Sequence, residues 1–190
     1  MVVPHIKVCY QGIPGAYSQI AIDKYFKRKA LAYSKKEFKD LFKSVLEKKS
    51  DYAMVPIVNS IIGPIKKNVK LMAKYSLPIK GKVSLYINHC LLVVPAKGVN
   101  PSKRLKELRK VYSHPAALAQ CYKFFKTHPW LKPIKANDTA GSAKKLAISK
   151  DKNTSVIASS KAAKLYKLQI IKKNLAGKNN YTHFLVISRK

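Results

Sequence analysis

Four short stretches of this 190-residue chain concentrate side chains suited to holding an anion. They are Gly12-Ile-Pro-Gly-Ala-Tyr-Ser18, Asn59-Ser60, Ser113-His114 and Asp138-Thr-Ala-Gly-Ser142. Each is small or hydroxyl-rich, and each opens or precedes a predicted helix. Unpaired N–H groups at a helix start attract carboxylates. Several such starts converging on one cleft would suit a small, multiply charged anion. Other chemistries find less support. His5, His89, His114, His128 and His183 show no metal-ligand spacing, so no metal is expected. Cys9, Cys90 and Cys121 lie far apart in apolar contexts with no CxxC, which predicts buried, reduced thiols. Gly12-x-Pro-Gly15 matches neither a Walker loop nor a dinucleotide fingerprint.

The elements that must present these stretches alternate between strand and helix. Residues 6–10 read as a strand running into the glycine–proline turn at 11–15. A helix follows, with Ile20, Ala21, Lys24 and Tyr25 at helical spacing. The clearest helix spans 34–49: Ser34 and Glu37 have capping-box spacing, and Phe38, Leu41, Phe42, Val45 and Leu46 form one apolar stripe. Residues 52–58 form an apolar run around Pro56, a buried strand end. Residues 83–87 and 90–94 read as extended, and 111–112 as a short strand. Pro115 suits the first position of a helix whose stripe is Ala117, Leu118, Cys121, Tyr122 and Phe125. Asp138-Thr139 caps another helix, a strand at 155–158 and a helix at 159–166 follow, and 183–187 is the closing strand. This alternation predicts an α/β fold with mostly parallel sheets, which present ligands at the carboxyl ends of strands.

Charge is the least ordinary feature. Lys and Arg number 39 against eight Asp and Glu, a formal net charge of +31. Only Arg28, Arg104, Arg109 and Arg189 are arginines, and the lysines spread over the whole chain with no basic arm or tail. Base-edge readers favour the planar guanidinium. A solvated lysine surface therefore fits better than a specific nucleic-acid partner, which would show steep salt dependence. A positive surface can also steer an anionic substrate. No apolar run is long enough to cross a membrane and no signal-peptide pattern opens the chain, so a cytoplasmic protein is expected.

The junction segments together resemble the prephenate and arogenate dehydratases of phenylalanine biosynthesis. The matching segments are Tyr10-Gln-Gly-Ile-Pro-Gly-Ala-Tyr-Ser18, Asp51-Tyr-Ala-Met-Val-Pro-Ile-Val-Asn-Ser60, His89-Cys-Leu-Leu92, Tyr112-Ser-His-Pro-Ala-Ala-Leu-Ala-Gln-Cys121, Asp138-Thr-Ala-Gly-Ser142, Ile157-Ala-Ser-Ser160 and Asn180-Tyr-Thr-His-Phe-Leu-Val-Ile187. They occur in family order and cover nearly the whole chain. The resemblance implies a two-lobed fold like the type II periplasmic binding proteins, with an inter-lobe cleft. Residues 1–190 would form a single catalytic domain, lobe 1 at about 1–80 plus 180–190 and lobe 2 at about 81–179, joined by two crossing segments.

The implied activity is decarboxylating dehydration of prephenate to phenylpyruvate, or of arogenate to phenylalanine, with no metal or redox cofactor. The partner would be a small dianionic substrate, and a homo-oligomer, for instance a dimer, is implied. Carried across residue by residue, Thr182 takes the catalytic role, as a hydrogen-bond donor within a relay because its hydroxyl is a poor acid. Asn59, Ser60, Ser113, His114, Gln120, Thr139, His183 and Phe184 line or shape the cleft, with Ser18 beside the first turn. Three positions depart from the pattern: Val58 stands where the family has Glu, His183 where it has Arg, and Ala116 where it has Gln. The expected consequence is loss of a cleft carboxylate and of a bidentate carboxylate donor. The chain ends at Lys190, so no ACT regulatory domain and no preceding chorismate mutase helix are expected.

Plainer readings stand beside these. Thr182 also fits a simple strand residue, His114 a helix cap, Asp138 an N-cap, Cys121 a core residue, His89 a structural residue and His128 a surface one. Two rivals remain to a working dehydratase. One is a weakened relative that only binds an anion. The other is a nucleic-acid binder using the lysine surface.

Overall fold

The computed structural model describes residues 6–96, 98 and 100–189, so His5 lies outside the described residues. In chain order the elements are β1 (Ile6–Gln11), α1 (Tyr17–Tyr25), β2 (Ala30–Lys35), α2 (Phe38–Leu46), β3 (Tyr52–Asn59), β4 (Gly63–Pro64), α3 (Lys66–Tyr75), β5 (Ile79–Tyr86), β6 (Cys90–Val93), α4 (Pro101–Glu107), β7 (Lys110–Ser113), α5 (Pro115–Gln120), α6 (Tyr122–Lys126), β8 (Lys132–Lys135), α7 (Thr139–Ser149), β9 (Thr154–Ala158), α8 (Ser160–Leu165), β10 (Gln169–Lys172) and β11 (Tyr181–Ser188). They fall into two compact units: residues 6–13, 17–86 and 181–189, and residues 14–16 and 87–180.

The first unit is built on a six-stranded sheet in the order β2-β1-β3-β11-β5, with β4 paired to β3. β1 runs parallel to β2 and β3, and β11 lies antiparallel between β3 and β5. The last strand of the sequence thus fills the interior of the sheet. Side-chain alternation along β11 sorts its two faces. Leu185 joins the core formed with Leu41, Phe42 and Val45 of α2 and Leu71 and Met72 of α3. On the other face Val186 pairs with Gly81. There Tyr25 of α1 packs so closely that a Cβ on Gly81 would fall 2.0 Å from its hydroxyl oxygen. Thr182 therefore shares the α1 face, and His183 the opposite one. Phe42, fully buried, stacks on Tyr75 with ring centroids 5.0 Å apart. Burying each such side chain contributes about 1.5–3 kcal/mol.

The second unit carries a five-stranded sheet in the order β10-β6-β9-β7-β8. β7 is parallel to β8 and β9, and β6 is antiparallel to β9 and β10. Its core gathers Leu91, Val93, Leu108, Val111, Leu118, Cys121, Phe124 and Ile157. Residues 14–16 belong to this unit. Ser159 Oγ donates to the Gly15 carbonyl at 2.6 Å and Tyr166 Oη to the Pro14 carbonyl at 2.8 Å. Glycine is strongly favoured there, because its φ is +94° and a Cβ would sit 3.0 Å from Ala162 Cα.

The α/β class holds, but the sheets are mixed rather than mostly parallel. Among the described strands four pairings are parallel and five antiparallel. Helical crossovers make the parallel pairs, whereas the antiparallel pairs all involve β4, β6 or β11. β6 and β11 each follow a passage of the chain from one unit to the other. Apolar patterning reports burial, not strand direction, so it missed this. The predicted helix at 34–49 is shorter: residues 30–35 form β2, and Ser34 pairs with Tyr10 in the sheet. The helix starts after Glu37 instead, whose N–H donates to the Asp40 carboxylate at 3.2 Å. All three cysteines are buried and unpaired, as expected.

Candidate functional site

In the first unit, the paired ends of β3 and β11 bring Asn59, Ser60 and Thr182 together. Thr182 lies directly across from Asn59 in register, and both side chains are buried. Asn59 Nδ2 donates to Thr182 Oγ1 at 2.9 Å and to the Tyr181 carbonyl at 2.9 Å. Its Oδ1 accepts from the N–H groups of Ile61 at 3.0 Å and Ile62 at 3.2 Å, closing the turn after β3. Those two backbone donors leave one orientation for the amide. Thr182 Oγ1 is therefore an acceptor from Asn59, and its single hydroxyl proton is directed elsewhere. Ser60 adds a reciprocal clasp. Its N–H donates to the Tyr181 carbonyl at 2.9 Å, and its Oγ accepts from the Tyr181 N–H at 2.9 Å.

The other first-unit candidates lie apart from that pair. His183 is exposed and points to the opposite face of β11. It pairs in register with Val58 on β3 and Ser84 on β5, and its Nδ1 lies 2.6 Å from Ser84 Oγ. Two of the three departures from the family pattern, Val58 and His183, are thus cross-strand partners. Both lie on the face of the sheet opposite Thr182. Phe184 is a core side chain, 2% exposed, on the Thr182 face. Ser18 is buried on α1 among Ala21 and Ile22.

In the second unit, Gln120 at the end of α5 meets two residues that local patterning did not select. Its Oε1 lies 2.8 Å from His89 Nε2 and accepts from Asn180 Nδ2 at 2.9 Å. All three side chains are buried. Burial holds the His89 ring neutral, with a pKa lowered to about 4 although the bond to Gln120 opposes the shift. Ser113, fully buried at the end of β7, donates to the Ile157 carbonyl at 2.7 Å and so ties β7 to β9. His114 is exposed and caps α5, its Nδ1 accepting from the Ala116 N–H at 3.1 Å. Withdrawal of part of its ring from water lowers its pKa, with the Asp138 carboxylate opposing. Asp138 accepts from the Gly141 N–H at the start of α7, where Thr139 is the first residue and half-buried.

The caps change what the helix starts can do. The first turn of α7 is already held by a carboxylate and that of α5 by an imidazole, so these are not open anion cradles. Among the described residues no group of three or more His, Cys, Asp or Glu is placed to hold a metal ion. Burial raises the Cys9 thiol and pushes Cys90 up to about 11 and Cys121 to about 12, so none is a thiolate at neutral pH. A cavity of about 400 Å³ in the second unit, lined by Tyr112, Lys135, Lys145 and Leu146, shares only Tyr112 and Ser142 with the junction segments.

The family model for prephenate dehydratase matches residues 8–190. Arogenate dehydratase/prephenate dehydratase 2 of Arabidopsis thaliana, a chloroplastic protein, is 39% identical over 186 residues, which make up 97% of this chain and 47% of that relative. The chain spans about half the length of the curated relatives it matches. GqqA, a quorum quenching acylase, superposes with a TM-score of 0.81 at 29% identity, over 97% of this chain and 64% of that one. The prephenate dehydratase of Arthrobacter aurescens, solved with L-Phe, superposes with a TM-score of 0.85 at 22% identity, over 97% and 61%. A putative methionine-binding lipoprotein from Bacillus subtilis shares the fold at a TM-score of 0.52 and 15% identity, over 97% and 83%. This agrees with the fold expected from the resemblance to periplasmic binding proteins. Since the family model spans nearly all of it, the chain belongs to the prephenate dehydratase family.

Proposed function

We propose that the chain is a dehydratase acting on prephenate, or on its amino counterpart arogenate, in phenylalanine biosynthesis. In the reaction the ring carboxylate departs as CO2. The electron pair of that C–C bond enters the ring, and the C–O bond to the ring hydroxyl breaks. One proton is taken up, so hydroxide leaves as water and the ring becomes aromatic. Prephenate gives phenylpyruvate and arogenate gives phenylalanine. The chemistry calls for a hydrogen-bond donor at the departing oxygen and for groups that hold an anion.

The observation that carries the reading is the bond from Asn59 Nδ2 to Thr182 Oγ1. It makes the hydroxyl an acceptor toward the protein, so its proton is available to the leaving oxygen. Thr182 acts as a positioned donor and not as a strong acid. The net proton comes from solvent. In the second unit, Gln120 Nε2 makes no hydrogen bond among the described residues and offers N–H donors to an anion.

The test is turnover. The purified protein is incubated at neutral pH with prephenate and, in parallel, with arogenate, and phenylpyruvate and phenylalanine are followed. Formation of either product supports the reading, and the ratio of rates identifies the substrate. Binding of both substrates without product would favour an anion-binding relative. The absence of both binding and product would overturn it.

A further inference from the structure

Gln120 makes its contacts within the second unit at one oxygen. Oε1 lies 2.8 Å from His89 Nε2 and 2.9 Å from Asn180 Nδ2, which uses both lone-pair directions of an amide carbonyl. An amide oxygen has no proton to give. His89 must therefore donate through Nε2, which leaves Nδ1 as the acceptor. The side chains involved are buried, at 2% exposure for His89, 8% for Gln120 and none for Asn180.

The backbone around each member is fixed independently. The Leu175 N–H donates to the His89 carbonyl at 3.0 Å, and the Ile87 N–H donates to the Asn180 carbonyl at 2.8 Å. Gln120 is the last residue of α5, followed by the helix-terminating Cys121. Three segments far apart in sequence thus meet at one oxygen atom. The consequence falls on the opposite end of the same planar group. With Oε1 held by two donors, the amide cannot flip, and Nε2 presents N–H groups only. A carbonyl or carboxylate oxygen is accepted there, and a donor such as an ammonium is refused.

We infer that His89 is a positioning residue that, together with Asn180, locks the Gln120 amide with its N–H groups outward, so that this subsite takes an anionic or carbonyl oxygen of the substrate. The inference rests on the dehydratase reading for the identity of the substrate but not for the lock itself. His89 touches no substrate and acts through Gln120.

The experiment has two arms that fail separately. The first uses the wild-type protein without substrate and assigns the His89 ring nitrogens by ¹⁵N NMR near neutral pH. A protonated Nε2 with an unprotonated Nδ1 is expected. The reverse tautomer, or a ring that titrates near its ordinary value, would overturn the lock whatever the protein's activity. The second arm compares His89→Leu and His89→Gln for binding and turnover of prephenate. The Gln side chain can place an N–H near the position of Nε2, whereas Leu fills space without a donor. Loss of about 10²-fold in kcat/KM is expected for Leu, the scale set by misplacing a binding group by about 1 Å. That loss should appear mainly in KM, with recovery to within a few-fold in Gln. Equal kcat/KM for wild type and His89→Leu would overturn the inference. If His89→Leu does not fold, His89→Gln is combined with Gln120→Glu. Glu keeps an acceptor toward Asn180 but removes the outward donors, so substrate binding should be lost in a folded protein. Retained binding would refute the donor assignment. A wild-type protein inactive on both substrates but showing the expected tautomer would sink the dehydratase reading alone.

Discussion

Replacing Asn59 by Asp changes one group, from NH2 to a carboxylate oxygen, and so tests the direction of the bond to Thr182. The side chain is 2% exposed. Its Oδ1 bonds to Ile61 and Ile62 can persist, strengthened by charge. Its two donor bonds, to Tyr181 and Thr182, cannot. The Tyr181 carbonyl keeps the Ser60 N–H at 2.9 Å, so it is not orphaned. One lost bond, to the Tyr181 carbonyl, at about 1 kcal/mol, plus a buried charge facing that carbonyl, less the strengthened turn and the reversed bond to Thr182, give a net cost of about 1–3 kcal/mol. The functional effect is larger. The Thr182 hydroxyl now donates to the carboxylate, and its proton is withdrawn from the departing oxygen. Removing one preorganised donor costs about 10²–10³-fold in kcat. Asn59→Ala removes the donor without supplying an acceptor, so Thr182 can still turn its proton outward and the loss should be nearer 10-fold. Steady-state turnover of prephenate, with urea unfolding to correct for stability, measures both. Asp at least as active as Ala, in folded proteins, would refute the directional role of Asn59.

Three further outcomes are expected. In a double-mutant cycle, Val58→Glu and His183→Arg should couple favourably by about 0.2–1 kcal/mol in urea unfolding, as directly opposed charges on one sheet face do, with kcat little changed because Thr182 lies on the other face. Additive effects would show that the pair does not interact. Stability should fall as pH drops from about 6.5 toward about 4. The unfolded chain protonates His89 in that window while the folded chain, with its lowered pKa, does not. The depressed pKa of His114 acts in the same direction, and the His89 contribution is at most about 3 kcal/mol. A flat unfolding profile across that window would contradict burial of a neutral His89. Gly15→Ala should destabilise by about 1–3 kcal/mol, through a strained φ of +94° and a Cβ pressed on Ala162, and an unchanged Tm would count against the packing of residues 14–16 on α8.

What was legible in the sequence was whatever local pattern encodes. The apolar stripe of α2, Pro115 at the start of α5 and the Asp138 cap of α7 are read from spacings within one helix. The buried thiols followed from apolar context. The resemblance brought Asn59 and Thr182 into one candidate set, and the register of β3 and β11 shows them 2.9 Å apart despite a separation of 123 positions. What stayed hidden depended on partners distant in the chain. Ser34 reads as a helix cap until β2 pairs with β1, and Val58 and His183 read as separate losses until register sets them face to face. His89 and Asn180 carry no local signal for Gln120, because their link is a shared acceptor brought together by three segments. Strand direction was lost for the same reason: burial patterns are alike in parallel and antiparallel strands, so the central place of β11 is visible only in the assembled sheet.

The most direct measurement is turnover of prephenate by Thr182→Val beside Thr182→Ser. Valine matches the shape but lacks the hydroxyl, leaving one Asn59 N–H without its acceptor at a cost of about 1–3 kcal/mol, so the protein should remain folded. Serine keeps the acceptor and the proton. Turnover that falls by about 10²-fold or more in Thr182→Val, and stays within about 10-fold of wild type in Thr182→Ser, is the expected result. A folded Thr182→Val variant with near wild-type kcat would contradict the role assigned to Thr182.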